Sequence, residues 1–82
     1  MKGFSYVYIL VSEMDSNRHY VGMTDNLDAR LAKHNKGDVT HTSKHRPWRI
    51  KTTLAFRDRE QAASFEAYLK TASGRAFAKK RL

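Results

Sequence analysis

The alternation of apolar and polar positions predicts three β-strands. Residues Phe4–Val11, FSYVYILV, are apolar on both alternating faces, as is typical of a strand covered on both sides. The polar residues Ser12–Asn17 separate this segment from Arg18–Gly22, which suits a second strand joined to the first by a hairpin. A third strand is predicted at Trp48–Phe56, where apolar and polar residues alternate again. We expect the first of these strands to be central.

Helical spacing appears in three other segments. The first follows the helix-starting residues Thr24–Asn26 and ends at Gly37. The second is predicted over Asp58–Thr71, because Asp58 can cap it and Ala62, Phe65, Tyr68, Leu69 and Ala72 define an apolar stripe. After a predicted break around Ser73 and Gly74, Arg75–Leu82 can form a last basic helical turn or two.

The order of these segments, β-β-α-β-α-α, predicts an α+β fold with a three-stranded antiparallel sheet flanked by helices. At 82 residues the chain is short for two domains, so a single domain over residues 1–82 is expected. The absence of Cys excludes disulfides, thiolate metal ligands and a Cys nucleophile. The longest apolar run is too short to span a bilayer and no charged leader precedes it, which predicts a cytoplasmic protein without a membrane partner.

The charge of the chain indicates a polyanionic partner. Sixteen Lys and Arg against eight Asp and Glu give a net charge of +8, and such a field attracts nucleic acid. Seven basic residues and a single acid fall between Arg30 and Lys51, and no acid follows Glu66. Charge alone leaves open ribosomal-type binding, contact with anionic membranes and a role of the charge in solubility only.

Two tyrosine-bearing strand motifs give the pattern a more specific meaning. Tyr6-Val7-Tyr8 and Tyr20-Val21-Gly22 stand eleven residues apart, before a helix that carries Arg30 and His34, and Glu66 lies on a later helix. This arrangement resembles the GIY-YIG nuclease superfamily. It is most similar to the small stand-alone bacterial single-domain subgroup, whose members carry a Thr-rich loop before a Pro, as residues 40–47 do here.

The resemblance implies an endonuclease that hydrolyses phosphodiester bonds in DNA, possible substrates being structured, nicked or damaged DNA in repair. Its candidate catalytic residues are Tyr8, Tyr20, Arg30, His34 and Glu66. Glu66 would hold one Mg²⁺ or Mn²⁺ ion and Arg30 would grip the scissile phosphate. Either tyrosine can orient the water, while His34 can accept its proton or contact phosphate. Nucleic-acid contacts are predicted for Lys33, Thr42, Ser43, Lys44, Arg46, Arg49 and Lys70.

Alternative interpretations stay open from the sequence. Each tyrosine can be a core residue with a satisfied hydroxyl, and Glu66 can form an ordinary ion pair with Arg59 or Lys70. Tyr6 replaces the glycine of the first motif, and the Lys and late Asn of larger members of the family are absent. These departures motivate a second hypothesis, a non-catalytic basic nucleic-acid-binding module of the same fold. A third is an interaction domain that joins a nuclease partner.

Overall fold

The computed structural model describes residues 3–82, so the first two residues of the predicted domain lie outside the described part. The elements are β1 (Ser5–Ser12), β2 (His19–Thr24), α1 (Leu27–Lys36), a short 3-10 turn (Ser43–His45), β3 (Trp48–Phe56), α2 (Arg59–Leu69) and α3 (Ala72–Arg81). The strands form one antiparallel sheet in the order β2-β1-β3. The predicted class and order of elements are confirmed. Within residues 3–82, no helix combines the length and apolar character needed to cross a bilayer.

Strand β1 is central, and all eight of its residues are buried. Because side chains alternate along a strand, β1 supplies two separate apolar clusters. Val7 and Ile9 pack with residues of α2 and α3, whereas Tyr8 and Leu10 pack with Trp48 and the leucines of α1. The molecule therefore has three layers, with α1 on one face of the sheet and α2 and α3 on the other.

Helix α1 is fixed at both ends by local hydrogen bonds. The side chain of Asn26 accepts a hydrogen bond from the backbone N–H of Ala29 and caps the first turn. Gly37 ends the helix with φ 86°, a left-handed conformation that favours glycine. In the last turn, Asn35 donates to the carbonyl of Trp48 at 3.0 Å and accepts from its N–H at 2.7 Å. These two bonds hold the end of α1 against the start of β3.

Helix α2 begins where the sequence predicts, because the carboxylate of Asp58 accepts hydrogen bonds from two N–H groups of the first turn. The predicted break around Ser73 and Gly74 is wrong. Both residues lie in the first turn of α3, since the hydroxyl of Thr71 accepts a hydrogen bond from the N–H of Gly74 and caps that helix. The predicted apolar stripe of α2 is also too wide: Tyr68 is 39% exposed and Ala72 belongs to α3.

Candidate active site

The phenol of Tyr8 lies over the glycine of the second motif. Tyr8 on β1 pairs directly with Gly22 on β2, and Tyr8 is only 2% exposed. A Cβ atom added at Gly22 would collide with the phenol oxygen of Tyr8 and would come within 3.1 Å of the Tyr20 ring. The glycine is therefore required at this position because it leaves room for both tyrosine rings.

His34 is completely buried beneath these rings and is bonded at both ring nitrogens. Its Nε2 lies 3.0 Å from the phenol oxygen of Tyr8, and its Nδ1 lies 2.7 Å from Oγ1 of Thr42. The Thr42 hydroxyl donates its own hydrogen to the carbonyl of Val39 at 3.3 Å, so it accepts from Nδ1–H. This assigns the proton of the neutral imidazole to Nδ1, and Nε2 accepts the phenol hydrogen of Tyr8.

Arg30 extends this chain of hydrogen bonds to the molecular surface. Its Nε donates to the phenol oxygen of Tyr8 at 3.3 Å, and the residue is half-buried one turn before His34 on α1. We call this series of hydrogen-bonded groups the tyrosine-histidine chain; in order, its members are Arg30, Tyr8, His34, Thr42 and the carbonyl of Val39. In residues 3–82, every fully buried side-chain nitrogen or oxygen has a partner, so the chain is satisfied along its length.

The burial of these groups sets their protonation at neutral pH. Burial raises the pKa of Tyr8 above its ordinary value of 10.0, against the opposing effect of Arg30. Burial, and then the charge of Arg30, lower the pKa of His34 below its ordinary value of 6.5. Both effects favour the uncharged forms. The resting site therefore holds a neutral phenol that donates to a neutral imidazole.

Tyr20 approaches the same histidine from the edge strand β2. Its ring centroid lies 5.0 Å from that of His34 in an edge arrangement, compared with 5.9 Å for Tyr8. Tyr20 is half-buried, and no hydrogen bond joins its hydroxyl to another group of residues 3–82. Tyr20 thus packs the imidazole in place while its hydroxyl remains available to solvent or substrate.

Glu66 approaches from the other layer of the molecule. It lies on α2, and its carboxylate forms an ion pair with Lys70 at 3.3 Å, as one structural interpretation of the sequence expected. Its side chain is 24% exposed. The carboxylate makes no hydrogen bond to the tyrosine-histidine chain within the described residues, yet its charge is close enough to contribute to the raised pKa of Tyr8, after the larger effects of burial and Tyr20.

The donor set around Glu66 suits only one type of metal site. No three His, Cys, Asp or Glu residues are grouped closely enough to hold an ion anywhere in residues 3–82. Mg²⁺ keeps several of its waters and is commonly held by one or two carboxylates together with phosphates of the substrate. A half-buried carboxylate facing solvent fits such a hydrated ion. It does not fit a closed cage built from protein ligands alone.

The predicted nucleic-acid contacts divide into exposed and buried residues. Exposed positions are occupied by Lys33, Lys44, Arg46, Arg49 and Lys70, while Ser43 is half-buried. Arg49 lies on β3, across β1 from the second motif, and is therefore separate from the tyrosine-histidine chain.

Thr42 is fully buried, so its predicted contact with nucleic acid is wrong. The indole N–H of Trp48 donates to the carbonyl of Thr42 at 2.8 Å and draws the loop into the core. The burial of His34 likewise rules out its predicted alternative role, direct contact with phosphate. The sequence interpretation missed the role of Thr42 as the partner of His34, since a Thr-rich loop has the composition of a surface segment.

Comparisons with known proteins agree with this geometry. The model of the GIY-YIG catalytic domain family matches residues 4–81. The UPF0213 protein BH0048 of Halalkalibacterium halodurans is 37% identical over 71 residues, which cover 85% of this chain and 73% of the relative. The solution NMR structure of the UPF0213 protein BH0048 from Bacillus halodurans superposes with a TM-score of 0.56 at 32% identity, covering 93% of this chain and 80% of that one. The chain therefore belongs to the GIY-YIG family.

Proposed function

We propose that this protein is a divalent-metal-dependent endonuclease that hydrolyses phosphodiester bonds in DNA. The observation that carries the proposal is the tyrosine-histidine chain. It joins a permanently charged group, Arg30, to a buried proton acceptor, His34, through the single hydroxyl of Tyr8. Such an arrangement provides phosphate binding and proton removal at adjacent atoms, which are two needs of phosphodiester hydrolysis.

Proton transfer through Tyr8 avoids the need for a phenolate. A phenol with a raised pKa is a poor base at neutral pH. Tyr8 can instead accept a proton from the attacking water while it passes its own proton to Nε2 of His34, 3.0 Å away. The proton then rests on His34, whose Nδ1–H remains bonded to Thr42. In this mechanism His34 is the base and Tyr8 is the relay.

Arg30 is the group that binds the scissile phosphate in this proposal. Its Nε bonds to Tyr8, and its terminal nitrogens can bind two phosphate oxygens, where the guanidinium stabilises the added negative charge of the transition state. Phosphate binding also neutralises a cation that lowers the pKa of His34. Substrate binding would therefore make the imidazole a better proton acceptor at the moment when one is needed.

Glu66 would hold the Mg²⁺ or Mn²⁺ ion, whose chemistry when bound is to neutralise phosphate charge and stabilise the departing oxygen. Lys70 pairs with Glu66 and would have to give up that contact to a bound ion. Structured, nicked or damaged DNA is the proposed substrate, and its shape would determine its selection, because contacts from basic residues to the phosphate backbone carry no sequence information.

Cleavage assays with matched variants test the proposal. Purified protein is incubated with supercoiled plasmid, single strands and branched duplexes in Mg²⁺ or Mn²⁺. Arg30→Ala and Glu66→Gln should each lower the rate by about a thousandfold, the scale seen when a group that stabilises transition-state charge is removed. Lys36→Ala and Glu60→Gln, exposed changes on the same two helices, should leave it within a few fold.

Two outcomes would overturn the proposal. Activity that persists undiminished in Arg30→Ala or Glu66→Gln would come from a contaminating nuclease or from another site. Salt-sensitive DNA binding with no product in any divalent metal would favour the non-catalytic nucleic-acid-binding module instead.

A further inference from the structure

An open groove lies on the face of the sheet opposite α1, between the sheet and the helices α2 and α3. Its volume is about 530 Å³, within the range of pockets that hold molecules of nucleotide size. It draws residues from β1, β2, β3, α2 and α3, and it is called the α3 groove below. The residues that line it are Ile9, Asn17, His19, Tyr20, Val21, Lys51, Leu69, Lys70, Arg75, Ala78 and Lys79.

The floor of the α3 groove is apolar. Ile9 and Leu69 belong to the buried cluster on this face of the sheet, and Val21 and Ala78 pack against that cluster. Ile9 is 3% and Leu69 1% exposed, so a ligand in the groove would meet mainly the partly buried side chains of Val21 and Ala78. These apolar side chains suit the face of an unpaired base, a face that in an intact duplex is covered by the stacked neighbouring bases.

The rim of the α3 groove is cationic. Lys51 comes from β3, Lys70 follows α2, and Arg75 and Lys79 stand one turn apart on α3. The lining residues, all of which lie in the described part of the chain, include no Asp or Glu. Partial burial and, to a smaller extent, the charge of Lys51 lower the pKa of His19, which lines the same groove. The groove therefore complements a chain of phosphates.

Two lining residues connect the α3 groove with the candidate active site. Lys70 forms the ion pair with Glu66, and the ring of Tyr20 packs against His34. Because Lys70 both lines the groove and pairs with Glu66, a strand bound in the groove would lie beside the proposed metal-binding carboxylate.

We infer that the α3 groove binds an unpaired segment of the nucleic-acid strand next to the cut, with bases on the apolar floor and phosphates on Lys51, Arg75 and Lys79. The inference rests on the proposed function and names its substrate class, a DNA with an unpaired strand. It assigns a role to the C-terminal basic region, whose residues beyond Lys70 received no role from the sequence. The floor selects against duplex, and the rim supplies affinity that does not depend on sequence.

Equilibrium binding in EDTA tests this inference without cleavage. A fluorescein-labelled oligothymidine of about 12 nucleotides, the length of a typical single-strand site, is compared with a blunt duplex by fluorescence anisotropy. The groove variant carries Lys51→Gln, Arg75→Gln and Lys79→Gln. The control variant carries Lys36→Gln, Lys80→Gln and Arg81→Gln, which are exposed residues outside the groove, and therefore loses the same charge.

Single-strand affinity of the groove variant should fall at least tenfold below that of the control variant. The slope of log affinity against log salt should fall by about 2, since each phosphate contact on a single strand contributes about 0.7. Duplex binding should differ little between the two variants. Circular dichroism melts should show that both variants fold.

A groove variant that binds the single strand as tightly as the control variant would overturn the inference, and so would equal losses on single strand and duplex. A titration of ¹⁵N-labelled wild type with the oligothymidine gives an independent result: shifts centred on Leu69 and Ala78 support it, and shifts confined to α1 overturn it. Failure of the proposed function is a separate result, because wild type would then cleave nothing while the groove still bound the strand.

Discussion

The two faces of the sheet differ in the polar groups that they bury. On the α1 face, Tyr8, His34 and Thr42 are polar, almost fully buried and joined by hydrogen bonds. On the α2 and α3 face, the buried cluster is formed by Val7, Ile9, Ala62 and Leu69. A buried polar group destabilises the fold unless it is paired, whereas a buried aliphatic side chain stabilises it directly. Leu10 and Trp48 are also buried on the α1 face, so both faces supply apolar packing, and the α1 face in addition positions these chemical groups.

This division runs along a single strand. Val7 and Tyr8 are neighbours in β1 and point to opposite faces, because side chains alternate along a strand. A motif tyrosine and a core valine thus share one backbone, and that backbone is held by pairing with both β2 and β3. Substitution of Tyr8 should therefore affect both cleavage and stability, whereas substitution of Val7 should affect stability alone.

The largest effect is expected for Tyr8→Phe. The change removes the relay between water and His34 and should lower the single-turnover cleavage rate by about a thousandfold, within the range of general acid-base contributions. It also leaves Nε2 of His34 buried without its donor, which should lower the free energy of unfolding by about 1–3 kcal/mol. Quenched-flow cleavage and urea denaturation measure the two quantities.

Tyr68→Phe is the matched control for that experiment. Tyr68 is 39% exposed on α2 and lies outside the tyrosine-histidine chain, so both quantities should stay near those of wild type. If Tyr8→Phe kept more than a tenth of the wild-type rate, another group would have to remove the proton from water, and Tyr20 would become the first alternative.

Val7→Ala should have a smaller effect, which falls on stability and not on the cleavage rate. Val7 is completely buried in the cluster on the α2 and α3 face, and loss of its methyl groups should lower the free energy of unfolding by about 1–3 kcal/mol. The cleavage rate per folded molecule should not change. Met14→Ala, at a position that is 76% exposed, serves as the control and should change neither quantity. A tenfold loss of rate in folded Val7→Ala would show that the two faces are not separable.

The sequence predicted the bounds of helices and strands more accurately than it predicted which side chains are buried. Trp48–Phe56 was predicted with the bounds that the structure has, since its alternation is local. The start of α3 was predicted too late in the sequence. Helix α3 is capped by a single hydrogen bond to the hydroxyl of Thr71, whereas Gly74, three residues later, has the composition of a helix break. Thr42 has the composition of a surface residue, and its burial follows from Trp48, whose indole bonds to its carbonyl. The α3 groove joins Lys51 to Lys79, and no local pattern predicts that two such distant positions share a surface.

The smallest effect is expected for the dependence of the free energy of unfolding on pH, which reports on the buried His34 of the α1 face without a substitution. The pKa of His34 in the folded protein is lowered below 6.5, mainly by burial and then by Arg30, so the unfolded chain binds this proton more readily than the folded one. Stability should be constant above about pH 6.5 and should fall below it, with a slope of at most about 1.4 kcal/mol per pH unit for one proton. His19, whose pKa is also lowered, adds to the same slope. An NMR titration of the imidazole Cε1–H signals, assigned to each residue, separates the contribution of His34 from that of His19, and His34 should titrate below 6.5. If His34 titrated well above pH 7, its imidazole would be mostly charged in the resting protein at neutral pH and could not accept the relayed proton.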